Sequence, residues 1–240
     1  MTFNIWWRSQ SSITGRIPLD QGIPDVVALQ ELTPHMANCI EEHIGEHYPH
    51  RSIITSEEPT SPRLGIYSKF PLEDLNAVHL SSKDFRVQIV RINLLGESIT
   101  LYNIHPRATN LLRYWQQGGS LSAQVHHSFR QREEFIRSLL DDIVGRRDPV
   151  IVVGDFNSTP LSDVYRLMRS QLEDAHRVAG RGWGYTFPNH GADFARLPLR
   201  WPFMRLDMIF CSPNVTVYSC GVGQKYGESD HRLVIAQFGV

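Results

Sequence analysis

Val150-Ile-Val-Val-Gly-Asp-Phe-Asn-Ser-Thr-Pro160 joins an uninterrupted apolar run to a polar ending. Four β-branched residues before a glycine read as a buried strand. At its end the two-residue period sends Asp155 and Asn157 to the same side, and Gly154 lets backbone or ligand approach closely. A carboxylate beside a carboxamide can position a water and hold an anionic oxygen, although an Asx turn capping the next helix gives the same spacing. Asn157-Ser-Thr also matches a glycosylation sequon, against which its place at a strand end argues.

Outward from this strand, similar apolar runs recur at Met1 to Trp7, Asp25 to Gln30, Leu64 to Ser68, Val87 to Leu94 and Ser98 to Ile104, and then at Leu206 to Cys211, Val215 to Ser219 and Leu233 to Phe238. Helical spacing is rarer. Thr33 and Pro34 suit the N-cap and first position of a helix reaching about His47. Ser128 can open a second, with Phe129, Ile136, Leu139, Leu140 and Ile143 on one face and Gly145 closing it. A third starts near Pro160 and buries Leu161, Val164, Met168 and Leu172. Many strands with three good helices predict an α/β fold of two packed sheets with helices outside. No repeat, linker or low-complexity tract divides the 240 residues, so residues 1–240 are expected to form one domain.

Composition narrows the function. At 41% hydrophobic and 20% charged the chain is globular, and no apolar run approaches the ~18 residues of a membrane helix. A net charge of -1 gives no basic field to gather nucleic acid non-specifically. Lys69, Lys83 and Lys225 stand against 21 arginines, and arginine is the better bidentate partner for phosphate oxygens, though genome composition explains the bias as well. Cys39, Cys211 and Cys220 show no zinc spacing and fit buried thiols.

Further strand ends carry polar groups. In Asp25-Val-Val-Ala-Leu-Gln-Glu31 the strand period puts Val27, Leu29 and Glu31 on one face, so an acid ends a buried row; a hard cation is the simplest remedy for a buried carboxylate, and a salt bridge at a helix start the plain alternative. Ile99 to His105 ends with Asn103 and His105 on a common face. Arg205-Leu-Asp207 puts an acid inside an apolar strand, and Ser229-Asp230-His231 precedes the last one. A histidine needs an acid to fix its tautomer and stabilise its charged form, which makes Asp207 a candidate partner of His231. Asn4, Glu31, His105, Asp155, Asn157, Asp207, Asp230 and His231 are together expected to converge on one rim of a sandwich.

The order Thr2-Phe-Asn4, PDVVALQE, NIHP, GDFN, RLDMIF and SDH resembles the endonuclease/exonuclease/phosphatase superfamily, the group of DNase I, exonuclease III-type enzymes, neutral sphingomyelinases and inositol-phosphate phosphatases. The resemblance runs from Asn4 to His231, and Leu64-Gly-Ile-Tyr-Ser-Lys-Phe-Pro71 looks like the family's strand and turn after the glutamate. It implies a DNase I-like four-layer sandwich of two mixed β-sheets flanked by helices. It implies a Mg2+-dependent phosphoric ester hydrolase, with Mn2+ as a substitute ion. By position, Glu31 would be the main metal ligand, with Asn4 and Asp230 close to the ion. Asp155 would orient or deprotonate the attacking water, Asn157 would hold a phosphate oxygen, and His231, oriented by Asp207, would act as base or cationic clamp. His105 would bond the phosphate or protonate the leaving oxygen, supported by Asn103, which is also expected to contact substrate.

Between the fourth and fifth motifs lies a long irregular stretch, residues 180 to 205, rich in glycine, proline and aromatics; a loop of this length in a compact domain is usually functional. Trp183, Tyr185, Phe187, Trp201 and Phe203 offer flat apolar surface, and Arg196, Arg200 and Arg205 can pair with phosphate, so Trp183, Arg200 and Trp201 are expected to bind substrate. The alternative is that the aromatics cover a sheet edge and the arginines face solvent. Gly-Trp-Gly-Tyr-Thr-Phe-Pro188 with Arg-Trp-Pro-Phe-Met-Arg-Leu-Asp207 resembles bacterial members tethered by N-terminal membrane helices. Met1 falls inside the first strand, where a trimmed soluble domain and a short natural start both fit. The favoured substrate is a small or lipid-linked phosphate ester, with membrane or lipid proximity; nucleic acid comes second, a non-catalytic phosphate-binding module third, and no obligate protein partner is implied.

Overall fold

The computed structural model of the chain describes residues 1–6, 23–54, 63–75, 77, 80, 85–108, 121–189, 193–194, 197–198, 201–224 and 227–239. The apolar runs form two six-stranded sheets. The first comprises β1 (Thr2–Asn4), β2 (Val26–Leu32), β3 (His50–Ile53), β4 (Arg63–Ser68), β13 (Thr216–Val222) and β14 (Val234–Gly239), in the order β13-β14-β1-β2-β4-β3. The second comprises β5 (Leu72–Leu75), β6 (Phe85–Leu94), β7 (Glu97–Pro106), β8 (Val150–Asp155), β9 (Glu173–Asp174) and β12 (Asp207–Cys211), in the order β5-β6-β7-β8-β12-β9. β10 (Asp193–Phe194) and β11 (Leu197–Pro198) pair as a separate two-stranded ribbon. Parallel β1–β2 and β7–β8 pairs among antiparallel neighbours make both sheets mixed.

Strand alternation builds four layers. Ala28 and Ile66 from one sheet meet Ile92, Leu101, Ile151, Val153 and Ile209 from the other between the sheets. The outer face of the second sheet, including Val150, Val152 and Phe210, packs on helix α2 (Leu121–Val144) through Ile136, Leu139 and Leu140, and on α3 (Asp163–Arg169) through Val164 and Met168. The outer face of the first, with Phe3, Val27 and Leu29, packs on α1 (Pro34–Ile44) through Met36, Ile40 and Ile44. A short α4 (Ala175–Ala179) follows β9. Each buried Leu, Ile or Val contributes about 1.5–3 kcal/mol, so the three clusters dominate stability. Among the described residues no helix is long and apolar enough to cross a membrane.

Helix boundaries follow the caps. Thr33 accepts the Met36 N–H and Pro34 takes the first turn, as expected from sequence. α2 begins seven residues before Ser128, which is buried within it, and Phe129 is 40% exposed rather than on the packed face. α3 is capped by Ser162, whose hydroxyl accepts the Tyr165 N–H, so Leu161 lies before the helix and is 90% exposed.

Gly154 is the backbone position on which β8 most depends. Its φ is +145°, and a Cβ there would stand 2.0 Å from the Ile104 carbonyl oxygen of paired β7. Gly154→Ala therefore combines strain with a backbone clash and is expected to cost about 3 kcal/mol or more in urea denaturation. A loss below ~1 kcal/mol would mean that β7 and β8 can part here without consequence.

Candidate active site

The space between the sheets changes from apolar to polar towards one end. One residue short of the rim, Gln30 Nε2 donates to Thr2 Oγ1 at 2.9 Å and to Asn103 Oδ1 at 2.7 Å, and Asn103 Nδ2 donates to the Leu29 carbonyl at 3.1 Å. This layer links the two sheets and pairs the polar groups buried beneath the site except Gln30 Oε1, which has no partner.

Above it, β8 and β12 run antiparallel with Asp155 opposite Asp207, so two carboxylates leave one sheet side by side. His231 faces both. Its Nδ1 lies 2.7 Å from Asp207 Oδ2 and its Nε2 lies 3.7 Å from Asp155 Oδ2. A carboxylate only accepts, so Nδ1 carries the proton and the Nε2 edge is turned to Asp155. His105, at the end of β7, brings its Nε2 to 3.8 Å from Asp155 Oδ2 and 3.6 Å from Glu31 Oε1. Asp155 is in turn held from below: Oδ1 accepts the Asn157 N–H at 2.8 Å, and Oδ2 accepts Asn4 Nδ2 at 3.0 Å and Asn157 Nδ2 at 3.3 Å. The Asx turn and the catalytic-looking pair at Asp155 and Asn157 are thus one arrangement.

Charge is unbalanced here. Burial opposes a charged His231, but Asp207 and Asp155 outweigh it and push its pKa up to about 10. Burial first, and then Glu31 and Asp155, push Asp230 up to about 6, against the pull of His231. Asp230 Oδ1 and Asp207 Oδ1 are buried with no hydrogen-bond partner. A cluster of carboxylate oxygens short of positive charge is the donor set of a hard divalent cation. Asp155, Asp207 and His231 bring ligand atoms within 4.8 Å of one another and could hold an ion. The hydrogen bond to His231 engages only Oδ2 of Asp207, so Asp207 Oδ1 and Asp230 Oδ1 both remain buried oxygens in need of a partner.

Two sequence expectations require correction in geometry. Val27 and Leu29 face α1, whereas Glu31 does not share their face: the β2–β4 register shifts between Leu29 and Leu32, and Glu31 takes φ +59°, which turns its carboxylate to His105. A bulge resets the two-residue period. Asn103 shares the inward face with His105 but lies a layer deeper, fully buried with its amide engaged, so it supports the rim and does not reach a substrate. Asn4 and Asn157 do reach the rim. Asn4 Oδ1 accepts the Trp6 N–H, and the Asn157 amide also donates to the Pro106 carbonyl at 2.9 Å, so both steady Asp155 in this arrangement.

From the stretch 180–205, Phe187 adjoins the same rim. The Phe187 ring lies 4.8 Å from that of His231. Trp183 stacks on Tyr185 at 6.0 Å and is 79% exposed, and Trp201 is 77% exposed. Arg196 and Arg200 lie outside the described residues. Arg205 is no phosphate ligand: it is buried and forks onto Asp174 at 2.6 and 3.3 Å, beneath the Tyr165 ring. Sequence reading missed the groups that fasten this stretch. Thr186 Oγ1 accepts the N–H groups of Leu206 and Asp207, Asn189 binds the backbone on both sides of the Ser229–Asp230 bond, and Ser229 Oγ donates to the Asn4 carbonyl. Short polar residues beside proline or at a strand start were the only signal available.

A sequence model described as the Endonuclease/Exonuclease/phosphatase family matches residues 1–231. No curated protein matches the sequence. Among solved structures, an endonuclease/exonuclease/phosphatase from Bacteroides vulgatus shares 23% identity over 100% of this chain and 97% of its own, with a TM-score of 0.68. D. rerio TDP2, complexed with single strand DNA product, shares 17% over 100% and 97%, with a TM-score of 0.73. A mannosyl-6-phosphatase from Bacteroides thetaiotaomicron shares 16% over 98% and 92%, with a TM-score of 0.65. All three have the fold of two packed sheets described above.

Proposed function

The chain belongs to the endonuclease/exonuclease/phosphatase family, and from that premise we propose that it is a Mg2+-dependent phosphoric ester hydrolase, a phosphodiesterase or phosphatase acting on a small or lipid-linked phosphate ester. The observation that carries this reading is the position of Asp155 Oδ2, flanked by the Nε2 atoms of His105 and His231 with Asp207 behind His231. Hydrolysis of a phosphate ester needs in-line water, charge neutralisation on the non-bridging oxygens and help for the leaving alkoxide. Asp155 orients the water and shares its proton with His231. The Asp207-held imidazole of His231 presents Nε2 to the phosphate, as base or cationic clamp. His105 stands on the other side of Asp155, where Nε2 can serve the leaving oxygen. Asn157 can turn an amide hydrogen from Asp155 to a phosphate oxygen. A Mg2+ ion, or Mn2+ in its place, held by Glu31 and Asp230 with Asn4 beside them, would supply charge neutralisation.

Trp183 and Trp201, exposed in the stretch whose Phe187 lies against His231, support an apolar or aromatic group on the alcohol side of the ester. Trp183→Ala with Trp201→Ala is expected to raise KM about tenfold, the factor that ~1.4 kcal/mol of contact supplies, while kcat and the metal requirement stay. Unchanged kinetics across several esters would return these aromatics to a covering role. The same flat surfaces can stack bases, and the likeness to a protein complexed with single strand DNA product supports a nuclease as the second reading. Hydrolysis of bis-p-nitrophenyl phosphate, p-nitrophenyl phosphate and plasmid DNA, with and without Mg2+, separates these readings. Faster nicking of plasmid than turnover of the small diester favours the nuclease, and no turnover of any leaves a binding module.

A further inference from the structure

The start of β12, which carries Asp207, is held by a side chain where a strand would be expected. Phe156 donates its N–H to the Leu206 carbonyl at 2.9 Å, so Asp207 and Asp155 form the non-hydrogen-bonded pair that follows in the ladder, and the Asp207 N–H points away from β8. On that edge β9 pairs with Phe210 and Cys211, and among the described residues no strand reaches Asp207. Thr186 takes the vacant place. Its buried Oγ1 accepts the Asp207 N–H at 3.2 Å and the Leu206 N–H at 3.1 Å, two bonds that the two lone pairs of one hydroxyl oxygen can receive.

The segment from Thr186 to Asn189 also holds the backbone that carries Asp230 and His231, which precedes β14 and belongs to no strand. The Thr186 carbonyl accepts the Arg232 N–H at 2.9 Å, and the Asn189 N–H donates to the Asp230 carbonyl at 2.6 Å. Asn189 Nδ2 donates to the Ser229 carbonyl at 3.0 Å, while its Oδ1 accepts Arg232 Nε at 3.1 Å. The remaining N–H, that of His231, goes to Ser229 Oγ at 3.0 Å. The polar atoms of both side chains are therefore committed to neighbouring protein groups, so any effect they have on the reaction passes through Asp207, Asp230 and His231.

We propose that Thr186 and Asn189 are positioning residues with separate duties: Thr186 sets the Asp207–His231 hydrogen bond, and Asn189 sets the Asp230 carboxylate for the cation. Both duties rest on the metal-assisted hydrolysis proposed above. Thr186 touches each side of the pair, through Oγ1 at Asp207 and through its carbonyl at Arg232, and so fixes the two backbones across which the side chains close to 2.7 Å. Valine in its place keeps the shape and the carbonyl but leaves two N–H groups without an acceptor, a loss that the start of β12 must answer by moving. Displacement of about 1 Å at reacting groups can cost about a hundredfold in rate. Asn189 bonds to neither Asp207 nor β12. Its side chain stands behind a candidate metal ligand, a place where substitution typically changes metal affinity or activity by about 10–100-fold.

Thr186→Val is expected to lower kcat for bis-p-nitrophenyl phosphate about tenfold or more, with KM and the calorimetric Kd for Mn2+ unchanged. In the metal-free protein it is also expected to shift or broaden the downfield proton resonance of His231 Nδ1–H, the signature of the bond to Asp207. Thr186→Ser keeps the hydroxyl and is expected to restore both. Asn189→Leu is expected to raise the Kd for Mn2+ about tenfold or more and to leave that resonance in place, with turnover recovered at high Mg2+. The resonance and the calorimetry need no turnover, so a wild-type protein that hydrolyses no nitrophenyl ester would defeat the hydrolytic reading while these two measurements still decide the positioning roles. Should one variant fail to fold, the other decides. Parallel losses of kcat and Mn2+ affinity in both variants, a serine variant no better than the valine one, or an unaltered resonance in Thr186→Val would each overturn the division of duties.

Discussion

Asp155→Asn is expected to lower kcat for a phosphate diester a hundredfold or more, within the ~10²- to 10⁴-fold usual for acid–base groups. The amide cannot take a proton from water. It also cannot accept along both edges: the Asn157 N–H lies on Oδ1, while the Asn4 and Asn157 amides lie on Oδ2. One of these donors loses its partner, at a cost of about 1–3 kcal/mol, which leaves a folded protein on which kinetics can be measured. His231→Ala is expected to reduce kcat as much by a different route, removing the Nε2 edge and leaving Asp207 buried without its 2.7 Å partner. Because Asp155 and His231 face each other at 3.7 Å and handle one proton, the double variant is expected to be little worse than either single one. Steady-state kinetics beside circular dichroism and thermal melts check this. A folded single variant with near-normal turnover removes the assignment of the acid–base pair to these residues.

How the sequence led to this site depends on which strands keep their period. Asp155 follows Ile151 and Val153, and Asp207 precedes Ile209, at two-residue intervals, and the structure puts them on the inward face with those neighbours. His105 follows Leu101 in the same way. Periodicity gives the face of a strand but not the depth along it, which is why Asn103 was expected at the substrate and lies under it. Periodicity also fails at a bulge. Glu31 would face α1 if β2 were regular, and its positive φ, which no propensity rule assigns to glutamate, brings it into the site. Arg205 was misread because a local sequence cannot name a partner thirty-one residues away, and Asp174 neutralises it in the core. Thr186, Asn189 and Ser229 bond chiefly to backbone, an interaction that leaves no pattern in the sequence.

The two ends of the sandwich also divide the physics of this chain. At the rim, carboxylates and imidazoles are buried in a layered polar network that sacrifices some stability to hold charge in place. At the far end, the apolar inter-sheet cluster is left incomplete by Ala28 and Ala236.

Chelation is expected to abolish hydrolysis, and Mg2+ or Mn2+ to restore it. Glu31 and Asp155 push Asp230 up to about 6 after burial has done the larger share, and Asp230 Oδ1 has no hydrogen-bond partner. Without a cation, these carboxylates repel one another at the cost of stability. A cation that binds only the folded protein stabilises it by about 2.7 kcal/mol when present at a hundred times its Kd, so saturating Mg2+ or Mn2+ is expected to raise Tm by several degrees. Glu31→Gln separates the two effects. The near-isosteric amide leaves the bulge and its packing intact and relieves repulsion of Asp230, so the metal-free variant should lose no more than about 1 kcal/mol, in keeping with a substitution that opens no cavity. Its metal-induced Tm rise should shrink, the Mg2+ concentration for half-maximal activity should increase tenfold or more, and calorimetric titration with Mn2+ should report the same loss of affinity. Undiminished activity in excess EDTA, with no metal retained by elemental analysis, would sink the metal-assisted reading. An unchanged Mg2+ dependence in Glu31→Gln would instead move the ion to the Asp155, Asp207 and His231 group, where ligand atoms also lie within 4.8 Å of one another.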